Sequence, residues 1–412
     1  MDTVETLVVI GAGAAGSELA IAARQQGWEG RIVLIGEEPQ LPYHRPPLSK
    51  AYLAGASSAD ALQIRPAETY AKARIDLRLG TRVEAIDRAA GALSLADGSS
   101  LAYTKLALCL GGEARRLQTF DAEGRPPANL SYLRSQNDSD AIRARLVTGS
   151  RVVIIGGGYV GLEVAASARQ LGAEVTLIEL QSRVLARVTS SELSGFYENI
   201  HREQGVRVLT GVGEIGLHQR PDGSVAAVTA AGEDFEADLL VVGIGLIPHT
   251  GLAEAAGLKV AGGIVVDAFA RTSDAHIFAA GDCTVMPSGL YGRTIRLESV
   301  PNALEQARTA AAAMCGKPRP YDPVPWFWSD QYDLKLQMVG LSQGYDECVV
   351  RGDKASRAFS AFYLRAGELL AADVVNKPAD FMVARKLVAA RARLAASDIA
   401  DEGVALKTLL PG

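Results

Sequence analysis

The apolar and polar positions of this chain fall into two kinds of pattern. Thr6 to Gly16 reads TLVVIGAGAAG, an apolar, β-branched run that ends in glycines at 11, 13 and 16, and Ser17 to Gln26 has helical composition. This predicts a strand, a tight turn and a helix. A second apolar strand, Arg31 to Ile35, ends at Gly36-Glu37-Glu38, with Glu37 21 positions after Gly16. The same order returns 145 residues later as VVIIGGGYVGLEVAASARQLGAEVTLIEL, with Gly156, Gly158 and Gly161 opening the helix and Glu179 closing the next strand. The copies also share Glu18 with Glu163, Ala20 with Ala165 and Gln25 with Gln170. Towards the end the pattern changes. Residues 326–342, 347–351, 358–364 and 369–375 read as short strands joined by glycine or polar turns, and 378–395 as an amphipathic helix.

The glycine spacing has a mechanical meaning. The first glycine permits the turn, the second lets the backbone approach a pyrophosphate, and the third allows close helix–strand packing. The helix N-terminus favours the anion, and the carboxylate at the end of the second strand accepts from ribose hydroxyls. One such match is weak evidence; two complete copies predict two dinucleotide sites on Rossmann-like units.

Their surroundings differ. Leu41 to Lys50 reads LPYHRPPLSK, too stiff for a helix and too interrupted for a central strand, so it predicts a fixed loop presenting Arg45 and Lys50. Ala275 to Thr284 reads AHIFAAGDCT, a short strand ending at Gly281-Asp282, where a carboxylate can meet a polyol chain or simply cap a turn.

Composition narrows the function. At 412 residues, with 48% hydrophobic and 22% charged positions, the chain predicts two or three globular domains. The net charge of -5 leaves no overall basic field for nucleic acid. Apolar runs such as Leu7 to Ile10 are far shorter than the roughly 20 residues of a membrane span. The N-terminal residues, with Asp2 and Glu5, do not fit a leader with a basic start and an apolar core, so a cytoplasmic location is expected. Cys109, Cys283, Cys315 and Cys348 form no C-x-x-C pair and no metal-ligand spacing, and His44, His201, His218, His249 and His276 form no catalytic cluster. No metal site is expected.

On these motifs the sequence resembles the two-dinucleotide flavoprotein reductases, and within them the putidaredoxin reductase type of ferredoxin reductase. RPPLSK, GGGYVGLE, RVLARV, HREQGV, GIGLIPH, IFAAGDC, RLESVPNALEQAR, PWFWSDQY and VVNKP carry the resemblance along nearly the whole chain. It implies an α/β fold of two dinucleotide-binding domains, the second inserted in the first, followed by a C-terminal α+β domain with an antiparallel sheet. The implied boundaries are 1–112 and 247–322 for the FAD domain, 113–246 for the NADH domain and 323–412 for the last. Gly11, Gly13, Ala15 and Gly16 would take the FAD pyrophosphate, Glu37 the adenosine ribose and Val83 the adenine. Arg45 and Arg134 would reach the cofactor, Lys50 and Val300 would lie by the flavin ring, Gly281 and Asp282 by the ribityl chain, and Trp328 would cover the ring region. NADH would fall to Gly156, Gly158, Gly161, Gly245, Glu179 and Arg187, with Glu163 binding the nicotinamide carboxamide or pairing with Lys50. Two departures stand out: Cys109-Leu110-Gly111 replaces the family's A-T-G, and His249 an Asn.

The missing cysteines point to the route of the electrons. A disulfide reductase needs a cysteine pair at the flavin, and a peroxide or oxygen reductase of this fold a single cysteine early in the first domain. Neither is here. The resemblance then implies an NADH-dependent reductase feeding electrons singly to a 2Fe-2S ferredoxin that supplies an oxygenase. A rubredoxin reductase and a signalling flavoprotein of the apoptosis-inducing type are the alternatives. Residues 351–412 hold ten Lys or Arg against seven Asp or Glu, and a basic docking patch for an acidic ferredoxin is expected from Arg65, Arg308, Lys335 and Lys407, with Lys377, Arg385 and Lys386 as further candidates.

Overall fold

The computed structural model describes residues 5–118 and 126–411. They form two compact units. The first comprises residues 5–44, Asp60–Glu113 and Ile247–Pro325; the second comprises Arg45–Ala59, residues 114–246 and residues 326–411. Residues 114–246 and 326–411 thus belong to one unit, together with a short excursion at 45–59.

The first unit is built on a five-stranded parallel sheet in the order Ile277–Ala279, Lys105–Leu108, Thr6–Ile10, Arg31–Ile35, Ile75–Arg78. Strands buried on both faces need continuous apolar runs, and LVVI and IVLI supply them: Leu7 to Val9 and Ile32 to Leu34 have no exposed surface. Helix Ala14–Gln25 packs beside helix Val300–Met314, both rich in alanine, so their backbones come close.

The second unit repeats the arrangement as Arg207–Leu209, Glu174–Ile178, Arg151–Ile155, Leu239–Val242, Leu130–Tyr132, again all parallel. In both sheets the strand that precedes the glycine turn is central, with its two neighbours on opposite sides. That is the switch point at whose carboxyl end such sheets bind ligands.

The unit also holds an antiparallel sheet in the order Trp326–Gln331, Leu334–Gly340, Glu368–Val375, Phe359–Arg365, Glu347–Arg351. Two boundaries differ from those expected. The run expected over 326–342 is a hairpin, split by a two-residue turn at Tyr332-Asp333. The helix expected over 378–395 is Pro378–Ala389, because Arg391 takes a left-handed backbone at φ 48° and breaks the helix. Among the described residues no helix is long and apolar enough to cross a membrane.

Candidate functional site

The two glycine turns are built alike. Gly11 and Gly156 sit at φ 103° and 111°, where a side chain is strained, and a Cβ there would lie 2.1 Å from the Cys109 carbonyl oxygen or 2.4 Å from that of Gly243. A Cβ on Gly16 would meet the Gly11 oxygen at 1.8 Å, and one on Gly161 the Gly156 oxygen at 2.0 Å. The middle glycines, Gly13 and Gly158, face open space. Each is the N-cap of its helix and offers no side-chain cap, so the first-turn N–H groups are left for an anion. Two glycines packed shut around one that is open is the shape a pyrophosphate needs.

In the first unit Gly281 reaches the same crevice. Its amide donates to Gln306 Oε1 at 2.8 Å, and a Cβ on it would lie 3.2 Å from Ala15 Cβ. Gly11, Gly13, Ala15, Gly16 and Gly281 with half-buried Asp282 are therefore brought together. Glu37 stands at the carboxyl end of its strand with its side chain 71% exposed, 3.3 Å from Arg82, while Val83 is buried. Val300 opens helix Val300–Met314, half-buried, behind the N-cap Ser299. These features fit FAD by their donors and their open glycine.

Cys109 and Cys283 are buried in this unit, and burial pushes the Cys283 thiol up to about 11 and the Cys109 thiol well above its usual value. All four cysteines are free thiols. Cys109, at the departure from the family pattern, packs its carbonyl against Gly11.

In the second unit the Glu179 carboxylate is pinned across the glycine turn, accepting from the Gly157 amide at 2.6 Å and the Gln181 amide at 2.7 Å. Exposed Arg187 passes Gly245, whose φ is 114°. This arrangement fits the adenosine half of a nicotinamide dinucleotide.

The excursion 45–59 is fastened to this unit at many points. Arg45 Nη1 donates to the Arg134 carbonyl at 2.7 Å, Ser139 Oγ to that of Leu48 at 2.8 Å, Ser167 Oγ to that of Ser49 at 2.8 Å, and Tyr52 Oη to Asp140 at 2.8 Å. Its result is to hold Lys50 against helix Tyr159–Gln170, where Lys50 Nζ lies 2.8 Å from Glu163 Oε2. Glu163 also accepts from Ser49 on Oε2 and from Ser329 on Oε1 at 2.6 Å. Of the two partners considered for Glu163, the pair with Lys50 is formed. Ser49 and Ser329 were not singled out in the sequence, although LSK and FWSDQY contain them. Trp328 is half-buried beside Trp326, on the face of its strand opposite Ser329.

The cations expected to form a docking patch are less free than their charges suggest. Arg65 and Arg308 both bond Glu18, at 2.5 Å and 2.6 Å. Lys377 pairs with Asp380 and Glu402, and Arg385 stacks over Trp326 and Phe381. Lys335, Lys386 and Lys407 are exposed.

Two dinucleotide cradles, a half-buried lysine paired with a buried carboxylate, and four free thiols define an oxidoreductase that works through bound cofactors. The chain belongs to the pyridine nucleotide-disulphide oxidoreductase family, whose model matches residues 5–307, and residues 326–410 match a reductase C-terminal domain. It is 45% identical to putidaredoxin reductase from Pseudomonas putida, over all of this chain and 98% of that one. It is also 45% identical to a ferredoxin–NAD(P)+ reductase from a Sphingomonas species, over 95% of this chain and 94% of that one. A crystal structure of a covalent putidaredoxin reductase–putidaredoxin complex matches with a TM-score of 0.94 and 46% identity, covering 98% of each chain. The chain is accordingly an FAD- and NADH-dependent reductase.

Proposed function

We propose that this protein takes a hydride from NADH and delivers the electrons singly to a 2Fe-2S ferredoxin that supplies a cytochrome monooxygenase or a ring-hydroxylating dioxygenase, in the cytoplasm. The domain assignment that goes with it is FAD to residues 1–112 and 247–322, NADH to 113–246 and docking to 323–412. The observation that carries the reading is the Lys50–Glu163 pair, a half-buried cation fixed on a buried carboxylate of the nicotinamide unit, in a chain whose four cysteines are all free thiols.

Bound flavin supplies the change from a two-electron to a one-electron carrier. The protein's own groups hold and orient. Gly11, Gly13, Ala15 and Gly16 receive the FAD pyrophosphate, Glu37 the ribose, Val83 the adenine and Asp282 with Gly281 the ribityl hydroxyls; Arg45, Arg134, Val300 and Trp328 complete its site. Gly156, Gly158, Gly161 and Gly245 receive NADH, Glu179 accepts from its 2′-hydroxyl, and Arg187 meets its adenosine end. Lys50 would supply a positive charge that favours the reduced, anionic form of a bound flavin, and Glu163 orients Lys50. Arg65, Arg308, Lys335 and Lys407 contribute to ferredoxin docking, with Lys335 and Lys407 the exposed members.

The test is anaerobic stopped-flow. NADH should bleach the bound flavin, and a 2Fe-2S ferredoxin should reoxidise it faster than rubredoxin or oxygen does. A protein that takes up no FAD, or one reoxidised equally by every carrier, would sink the proposal.

A further inference from the structure

From Glu163 a line of uncharged groups leads through the interior of the second unit. Ser329 Oγ lies 2.6 Å from Glu163 Oε1, and Gln331 Nε2 lies 3.2 Å from Ser329 Oγ. His201 Nε2 is 2.9 Å from Gln331 Oε1, and Tyr332 Oη is 3.1 Å from His201 Nδ1. Glu163, Ser329, Gln331 and His201 are all buried, His201 completely. The strand period of two puts Ser329 and Gln331 on one face of Trp326–Gln331, and His201 lies in the last turn of helix Ser191–Glu203.

Counting protons fixes the direction of the line. Glu163, paired with Lys50, has no proton to give, so Ser329 must spend its single hydroxyl proton on it. Ser329 then has only lone pairs for Gln331, which must present its NH2 group and turn its carbonyl to His201. That carbonyl requires a proton on His201 Nε2. Burial pushes the imidazole down to about 4, so at neutral pH Nδ1 is bare and accepts the Tyr332 hydroxyl. Every donor points the same way, towards Glu163.

A second observation marks this line as built. Tyr332 opens the hairpin turn at φ 54°, a left-handed conformation where Gly or Asn is the ordinary choice. A bulky ring is held there, and its hydroxyl closes the far end of the line.

We infer that Tyr332, His201, Gln331 and Ser329 are positioning residues, a one-way chain of donors that holds the Glu163 carboxylate in a single orientation and thereby sets Lys50 for hydride transfer. The link to hydride transfer rests on the function proposed above; the direction of the chain does not.

Holoenzyme labelled with 15N-histidine tests the direction. At pH 7 the His201 ring, assigned by loss of its signals in His201→Gln, should show the Nε2–H tautomer; an Nδ1–H or averaged ring overturns the inference. Rapid-reaction kinetics test the role. Ser329→Ala should lower the limiting rate of flavin reduction about ten-fold, the worth of one hydrogen bond to a charged group, and leave the Kd for NADH nearly unchanged. Ser329→Thr, which keeps the hydroxyl, should retain the rate. His201→Gln, which keeps a donor and an acceptor, should outperform His201→Phe. Equal rates for the Ala and Thr variants would overturn the positioning role. Wild-type flavin that NADH does not bleach would instead defeat the function, with the tautomer result left standing.

Discussion

Glu18 and Glu163 stand two residues beyond the last glycine of their respective turns, and each is a buried carboxylate that binds a cation from a distant segment. Glu18 takes Arg65 and Arg308; Glu163 takes Lys50. A repeated sequence position has been given two uses, one that ties together the first unit and one that arms the second.

Glu18 therefore bears on stability. Burial pushes its carboxyl up, but the hydrogen bonds from Arg65 and Arg308 outweigh that and leave it below the usual value. A lowered folded pKa gives stability that is present above the unfolded value and lost as pH falls through the folded one. Glu18→Ala should cost about 2 kcal/mol at pH 7, less than a fully buried pair because the Arg308 side chain is 58% exposed, and should flatten the acid limb of a melting-temperature profile.

Asp373 works in the opposite sense. It is buried, it accepts from Tyr363 Oη and Thr189 Oγ1 at 2.5 Å each, and burial raises its carboxyl to about 6 against the lowering by those two bonds. The folded state holds this proton more tightly than the unfolded chain, so stability falls as pH rises from about 4 to about 6. Asp373→Asn keeps the acceptor oxygen without the charge. It should stabilise the protein at pH 8 by on the order of 2 kcal/mol in denaturant unfolding and remove that fall.

Glu179 should set the choice of nucleotide. Its carboxylate, pinned by Gly157 and Gln181, repels a 2′-phosphate. Glu179→Gln should shift the NADH to NADPH ratio of kcat/KM towards NADPH by about ten-fold, with Arg187 available to the phosphate. An unchanged ratio would remove Glu179 from the adenosine site.

Lys50 is expected to act in the reaction and not in folding. Lys50→Met should slow flavin reduction by NADH at least about ten-fold while FAD content and melting temperature stay near wild type. Loss of FAD from the variant would make the role structural.

For docking, Lys407→Glu is a cleaner probe than Arg308→Glu, which would set a second carboxylate beside Glu18 and disturb the fold. Lys407→Glu should raise the KM for ferredoxin several-fold, less so as salt shortens the Debye length below about 8 Å, with the NADH half-reaction unchanged. Kinetics indifferent to both the substitution and ionic strength would refute the docking site.

What the sequence revealed was what short-range chemistry encodes. The glycine turns and the parallel strands on either side lie between Thr6 and Ile35 in one copy and between Arg151 and Ile178 in the other, and they emerge as read. The C-terminal strands were legible by their alternation, but the hairpin turn at Tyr332-Asp333 contains no Gly or Asn to announce it. The end of helix Pro378–Ala389 was hidden because apolar Ala392 and Leu394 continue the pattern of Val388 beyond it. Ser49, Ser329, Gln331 and His201 were hidden for another reason. They are ordinary polar residues whose meaning lies in partners more than a hundred positions away in the chain or on another element, a relation no local pattern contains.

The path of the chain has a consequence for its synthesis. It passes from one unit to the other between 44 and 45, 59 and 60, 113 and 114, 246 and 247, and 325 and 326. Many multidomain chains fold vectorially, the first domain closing while the ribosome still makes the next. That order is barred here: the sheet of the first unit lacks its edge strand until Ile277–Ala279 has emerged, and the Lys50 excursion waits for residues 134 to 167 to receive it. The apolar strand Lys105–Leu108 therefore keeps one edge unpaired until Ile277–Ala279 follows, a long interval in which the growing chain offers that edge to other chains and to nascent-chain chaperones.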